Sequence, residues 1–171
     1  MRLLERALGP WRAKHAAGAE KELREWHDAC QLVVAGCLAG LRDPQVPRSD
    51  IGVTLDQVDR AIFRMRDAGV GAQHALRGEP ELRRRVRQSI QAIIELRNET
   101  ARFLIRAQGP TPPFLTKPQA YAGQAEAHQR ALQDVGQPAL RHAQAVERGL
   151  EALWGDLKPL LSRLADEARQ A

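Results

Sequence analysis

The sequence predicts an all-α protein, and three observations support that class. Apolar residues return at three- and four-residue steps through five stretches of the chain, as they do in helices that show one face to their neighbours. No stretch shows the two-residue alternation of a half-buried strand. The chain has three tryptophans, three phenylalanines and one tyrosine, so its core depends on aliphatic residues and alanine, which suits helices. The five apolar stripes are Leu23–Leu41, Leu55–Leu76, Leu82–Phe103, Tyr121–Val135 and Ala139–Leu164.

The first long helix is expected to begin at Gly9-Pro10, because proline is well tolerated in a first turn. Residues 1–9 would then form a separate short N-terminal helix. The segment 43–50, which contains two prolines, is expected to end the first long helix, since proline lacks a backbone N–H.

Turn and cap residues predict the next boundaries. Thr54 and Gln57 have the spacing of a capping box and predict the start of the second helix. Gly78 and Pro80 predict the end of that helix and the start of the third. Residues 109–118 contain four prolines and are expected to form a stiff loop.

Two later prolines predict further interruptions. Gly136 and Pro138 should divide the final helical region, and Pro159 should kink or restart its second half. The result is one domain, residues 1–171, built as an up-and-down bundle of four to five long antiparallel helices. Narrow apolar stripes and many alanines also suit completion of the bundle by a second copy of the chain.

Composition excludes several classes of protein. The longest apolar run, Leu32–Leu41, is half the ~20 residues of a membrane span, so we expect no integral membrane segment. The spacing of Gly36 and Gly40 instead indicates a helix with a close neighbour. Cys30 and Cys37 are seven residues apart on one predicted helix, roughly 10.5 Å, too far for a disulfide. Free thiols favour a reducing, cytoplasmic location.

The motif His-Ala-Leu-Arg-Gly, residues 74–78, resembles the local pattern of histidine phosphotransfer domains, which are themselves helical bundles. The resemblance implies a solvent-exposed His74 as the phosphoryl acceptor, with Arg77 supplying charge and Gly78 supplying room. In that family the helix continues past the glycine, whereas Pro80 ends it here. The alternative is that His74 is a surface residue near a helix C-terminus.

Arginines concentrate the positive charge on the third predicted helix. The net charge is +5, and residues 79–108 carry seven arginines against four acidic residues. Arg83, Arg84, Arg85 and Arg87 are candidate contacts for an acidic partner or for nucleic acid. No aromatic residue lies between them for base stacking, so the alternative is a solvated or salt-paired face.

The segment Leu96–Arg102 is similar to the Arg-Asn-x-x-x-His signature of HEPN-type ribonucleases, which are also helical. Arg97 and Asn98 match the signature, but Arg102 takes the place of its histidine, so the RNA-cleaving chemistry of that family lacks its imidazole. The other interpretation of Arg97 is an arginine at the edge of the core that finds an acceptor.

We predict neither a metal site nor a cofactor. A metal site needs at least three converging ligands, and His27, Cys30 and His128 are too few at suitable spacings. Cys30, Cys37 and His128 are therefore expected in the core, and His27 on the surface. No phosphate-binding glycine loop or nucleophile motif is present in the sequence.

The N-terminal segment is basic and apolar. Leu4, Leu8 and Trp11 belong to an apolar patch flanked by arginines, which suits docking on a partner's groove or an anionic membrane. The alternative is that the segment caps its own bundle.

The sequence therefore predicts a non-catalytic helical bundle that works through protein–protein contact, as an adaptor, assembly subunit or self-associating scaffold. A nucleic-acid-associated protein is the second hypothesis, and a phosphotransfer bundle the third. No small-molecule substrate is indicated.

Overall fold

The chain is helical throughout the part that the computed structural model describes. That part comprises residues 2–42, 48–107 and 117–169, with side chains described for 14–42, 53–107, 123 and 125–169. No strand occurs in these residues, which confirms the all-α class. The helices are α1 (Arg2–Arg42), α2 (Arg48–Ala75), α3 (Pro80–Ala107), α4 (Lys117–Ala131) and α5 (Gln137–Arg169).

The helices α4 and α5 are parts of one continuous helical stretch, joined by a π-helical segment, Leu132–Gly136. The described residues therefore contain four helices, and the prediction that Gly136 and Pro138 divide this region was wrong. In a regular α-helix the ring of Pro138 would clash with the carbonyl four residues earlier. The wider π turn, in which the Gln137 N–H donates to the Leu132 carbonyl, lies directly before Pro138 and relieves that conflict.

Two predicted helix starts were also wrong. The helix α1 runs from Arg2 without a break at Gly9-Pro10, so residues 2–9 are not a separate helix. A proline forfeits one backbone hydrogen bond and does not by itself end a helix. Thr54 does not cap α2, because that helix already begins at Arg48.

Other boundaries follow the sequence. The helix α1 ends at Arg42, and the change from α2 to α3 falls between Ala75 and Pro80. The restart predicted at Pro159 was wrong, since α5 is continuous around that residue. Most of the predicted 109–118 loop lies outside the described residues, and α4 already includes Pro118.

One hydrophobic cluster joins α1, α2, α3 and α5. Its largest fully buried side chains are those of Trp26 and Phe103, followed by leucines and by Met65. Each of these four helices contributes its predicted stripe, so burial of the stripes accounts for the association of the helices. The fourth stripe is buried less completely, since Ala125 is exposed and Leu132 is half-buried.

Among the described helices, none combines the length and the apolar character needed to cross a membrane.

Glycines mark the closest approaches between helices. A Cβ at Gly36 of α1 would lie 2.9 Å from Val58 of α2, and one at Gly69 of α2 would lie 2.7 Å from Ile90 of α3. Gly71 lies directly against the Glu22 carboxylate. Gly69 and Gly71 lower intrinsic helix propensity, yet α2 is continuous through both, because they give neighbouring side chains room.

Polar pairs fix the register of the other helices. Arg97 of α3 donates to both carboxylate oxygens of Asp59 in α2, at 2.7 and 2.6 Å. Arg85 of α3 bonds to Asp156 of α5 at 2.6 Å. The Glu99 carboxylate of α3 is hydrogen-bonded to His142 Nδ1 of α5 at 2.9 Å.

Candidate interaction surface

Large apolar side chains stay exposed on the helix pair α1 and α2. Leu32 of α1 is 58% exposed, and Phe63 and Val70 of α2 are 74% and 70% exposed. Phe63 and Val70 are seven residues apart, so they lie within roughly 20° of each other on the outer face of α2. The exposed, charged Arg66 and Asp67 lie between them on that face, so Phe63 and Val70 are separate exposed apolar side chains. Large apolar side chains of this kind can serve as anchors when a partner protein covers them.

A groove between α1 and α2 is lined by two of these three residues. It measures ≈ 610 Å³, and Leu32 and Val70 belong to its lining, with Ala29, Ala68 and Gly71 between them. The small side chains of Ala29 and Ala68 leave room for an inserted side chain, whereas the Glu22 carboxylate fills the space at Gly71. The exposed Leu32 and Val70 offer apolar surface for the inserted side chain to contact.

The charged side chains along this groove are mostly acidic. Four carboxylates, Glu22, Glu25, Asp28 and Asp67, line it together with one guanidinium, that of Arg64. Glu25 pairs with the exposed Lys21 at 3.6 Å, a contact worth little at a solvated surface. The groove therefore carries negative charge on a chain whose net charge is +5.

A larger cavity continues the groove toward the end of the bundle. This end cavity, of ≈ 1030 Å³, is lined by Lys14–Ala16, Gly18, Ala19 and Glu22 of α1, by the last turns of α2, and by Leu164 and Glu167 of α5. It shares Glu22, Val70 and Gly71 with the groove. The two together follow α1 from Lys14 to Leu32, a rise of roughly 27 Å.

His74 lines the end cavity and is exposed in the last turn of α2. Its carbonyl accepts the N–H of Arg77 at 3.2 Å. Arg77 and Gly78 lie in the turn beyond Ala75, so they do not continue the helical face of His74 as the phosphotransfer pattern requires.

The four arginines of α3 differ in their surroundings. Arg84 pairs with Glu81 at 2.6 Å, and Arg85 pairs with Asp156 at 2.6 Å. The hydrogen bond from Arg84 lowers the pKa of the Glu81 carboxyl.

The other two arginines lack a carboxylate partner among the described residues. Arg87 donates to the neutral Gln73 at 3.0 Å. Arg83 is half-buried, and its Nε has no hydrogen-bond partner there. The positive charge that stays unneutralised on this helix is thus smaller than the sequence suggests.

His27 is buried, and the expectation of a surface histidine was wrong. Its ring stacks on Trp154 of α5, with centroids 4.0 Å apart and planes at 15°. Burial lowers the pKa of His27, and the nearby Asp28 opposes that shift. Its Nε2 has no hydrogen-bond partner among the described residues.

The remaining candidate ligands do not converge. Cys30 and Cys37 are free and buried, and burial raises the pKa of both thiols. His128 is half-buried beside Phe103, so it lies at the edge of the core. In the described part of the chain, no three His, Cys, Asp or Glu side chains are grouped as a metal site would require.

The side chains of Leu4, Leu8 and Trp11 lie outside the described residues. Their backbone belongs to α1. Arg97, the arginine of the ribonuclease-like segment, is held by Asp59, whereas Asn98 and Arg102 are exposed.

No protein-family model matches the chain, and comparison with curated proteins and with solved structures finds no match.

Sequence reasoning missed the α1–α2 surface, by which we mean Leu32, Phe63 and Val70 with the acidic groove beside them. A signal was present in the sequence, because Phe63 and Val70 fall outside the apolar stripe of α2. Leu32 was hidden inside the continuous apolar run of residues 32–41.

Proposed function

We propose that this chain works through protein–protein contact, as a non-catalytic adaptor, assembly subunit or scaffold, and that the α1–α2 surface makes the contact. The 74% exposure of Phe63 carries this proposal. Burying a phenylalanine side chain stabilises a protein or a complex by about 1.5–3 kcal/mol, and an exposed Phe63 does not contribute this free energy to the folded chain. Aromatic side chains are frequent anchors of protein interfaces.

The proposed scaffold is a single up-and-down bundle. Gly36 of α1 contacts Val58 of α2, and Glu22 of α1 contacts Gly71 of α2. These two contacts are those of an antiparallel helix pair. The two ion pairs between α3 and α5 are likewise those of an antiparallel pair. Buried free thiols suit a reducing compartment, and we place the protein in the cytoplasm.

Site-specific photo-crosslinking tests the proposal. A benzophenone amino acid at position 63 is expected to form covalent protein adducts in cells. The matched control is the same amino acid at Ile105, which is 64% exposed on α3. Equal adducts at both positions, or none at position 63, would contradict the proposed surface.

Nucleic-acid binding is a second proposal, supported by Arg83 and Arg87, whose charges have no carboxylate partner among the described residues. Binding should weaken steeply with salt. The double variant Arg83→Glu, Arg87→Glu should abolish retention on a nucleic-acid column, whereas Arg84→Glu, a paired arginine, should have a smaller effect. If retention on the column is the same in both variants as in the original chain, these arginines do not bind nucleic acid.

Phosphotransfer is a third proposal, supported by the exposure of His74 at the end cavity. It predicts acid-labile phosphate that disappears in His74→Ala. Incorporation that persists in that variant would exclude His74 as the acceptor.

A further inference from the structure

We propose that the α1–α2 groove and the end cavity receive the N-terminal segment, residues 2–12, of a second copy of this chain. The inference rests on the proposed protein-contact function and names the partner of that surface. Four observations support it: the charge of the groove, its length, the composition of residues 2–12, and the extension of α1 past the ends of its neighbours.

The charge of the groove selects a basic occupant. Its lining has four carboxylates and one arginine, and the end cavity adds Glu167 and Lys14. A positively charged helix would gain from this field and would be steered toward it. An acidic occupant would be repelled.

The dimensions and lining select an amphipathic helix. The groove and the end cavity extend for roughly 27 Å, and an 11-residue helix is roughly 17 Å long. Leu32 presents apolar surface at one end, Val70 at the junction of the groove and the end cavity, and Leu164 at the other end. A helix with apolar anchors at three- and four-residue spacing fits such a groove.

Residues 2–12 have this composition. They contain three arginines against one glutamate, with Leu3, Leu4, Ala7, Leu8 and Trp11 as apolar residues. The last four of these recur at steps of three, one and three, the spacing of residues that share one side of a helix.

The helix α1 extends past the described ends of its two neighbours. At this end α2 stops at Ala75 and the described part of α5 stops at Arg169, and residues near both ends line the same cavity as Lys14. The helix α1 begins twelve residues before Lys14, at Arg2. Because segment and groove are present in every copy, a two-fold dimer would use the contact twice.

A charge exchange tests the pairing. Sedimentation velocity of the full chain should show a dimer whose dissociation constant rises about tenfold or more in Arg6→Glu, Arg12→Glu and equally in Asp28→Arg, Asp67→Arg. Combining all four changes should restore the dimer. The control Glu151→Arg changes an exposed acid on α5 and should leave association unchanged.

A labelled peptide of residues 1–14 provides a second measurement. It should bind the full chain and bind less tightly to Asp28→Arg, Asp67→Arg, with circular dichroism confirming that this variant is folded. A chain that stays monomeric and ignores the peptide would overturn the inference. A dimer that persists in Arg6→Glu, Arg12→Glu would also overturn it. In either case, photo-crosslinking at position 63 would still support the proposed function if it captured another protein.

Discussion

The substitution Gly36→Ala isolates the close packing of α1 against α2. Alanine improves intrinsic helix propensity by about 1 kcal/mol over glycine. The new Cβ would lie 2.9 Å from Val58 Cγ2, and Val58 is a β-branched, buried side chain with little freedom to move. Overpacking of this kind costs about 1–3 kcal/mol, so we expect a net change between zero and about 2 kcal/mol of destabilisation.

The control is Gly155→Ala on α5, where a Cβ would meet nothing within 4 Å. There we expect a gain of about 0.5–1 kcal/mol. Thermal unfolding followed by circular dichroism should separate the two variants by about 2–4 °C for each kcal/mol of difference. In a Val58→Ala background, Gly36→Ala should become stabilising. If Gly36→Ala raises Tm as much as Gly155→Ala in the original chain, the contact does not limit packing.

Three further predictions concern buried groups. Because burial lowers the folded-state pKa of His27, the unfolded chain takes up the proton first. Stability should fall as the pH drops below about 6.5, and the urea midpoint of His27→Leu should fall less between pH 7.5 and 5. Cys30 and Cys37 should react with a thiol reagent far more slowly than in the unfolded chain, and rapid labelling of the native chain would contradict their burial. Gly136→Ala should lower the urea midpoint, since its Cβ would lie 2.8 Å from Phe103 and overpacking of about 1–3 kcal/mol should outweigh a propensity gain of about 1 kcal/mol; an unchanged urea midpoint would show that Phe103 moves freely.

Periodicity predicted the helices because burial acts on side chains at fixed angular steps along one helix. Leu23, Trp26, Cys30, Val33 and Cys37 are all buried, as their three- and four-residue spacing indicates. That pattern is readable without knowledge of the neighbouring helix, so the sequence alone was sufficient for the class and for most of the core.

Features that depend on two helices together were harder to predict. His27 is buried because Trp154 lies over it, and the two residues are far apart in sequence. The helix continues through Pro138 because a π turn precedes the proline. Residue-by-residue helix propensities do not predict such a turn. Glycines that look like weak points in α2 are contact points once α1 and α3 are beside them.

The same distinction applies to charge. The basic start of α3 was the most conspicuous charged feature of the sequence, yet Arg84 and Arg85 are paired with carboxylates of this chain. The acidic groove is only partly visible in the sequence: Glu22, Glu25 and Asp28 follow one another at three-residue steps on α1, but Asp67 of α2 joins them only in the folded chain. Charge that is paired within the chain is a poor guide to a partner, whereas unpaired charge of one sign on a surface can steer a partner of the opposite sign toward it. For this reason we propose the α1–α2 surface as the contact, and reversal of Asp28 and Asp67 should disturb the proposed association more than reversal of Arg84.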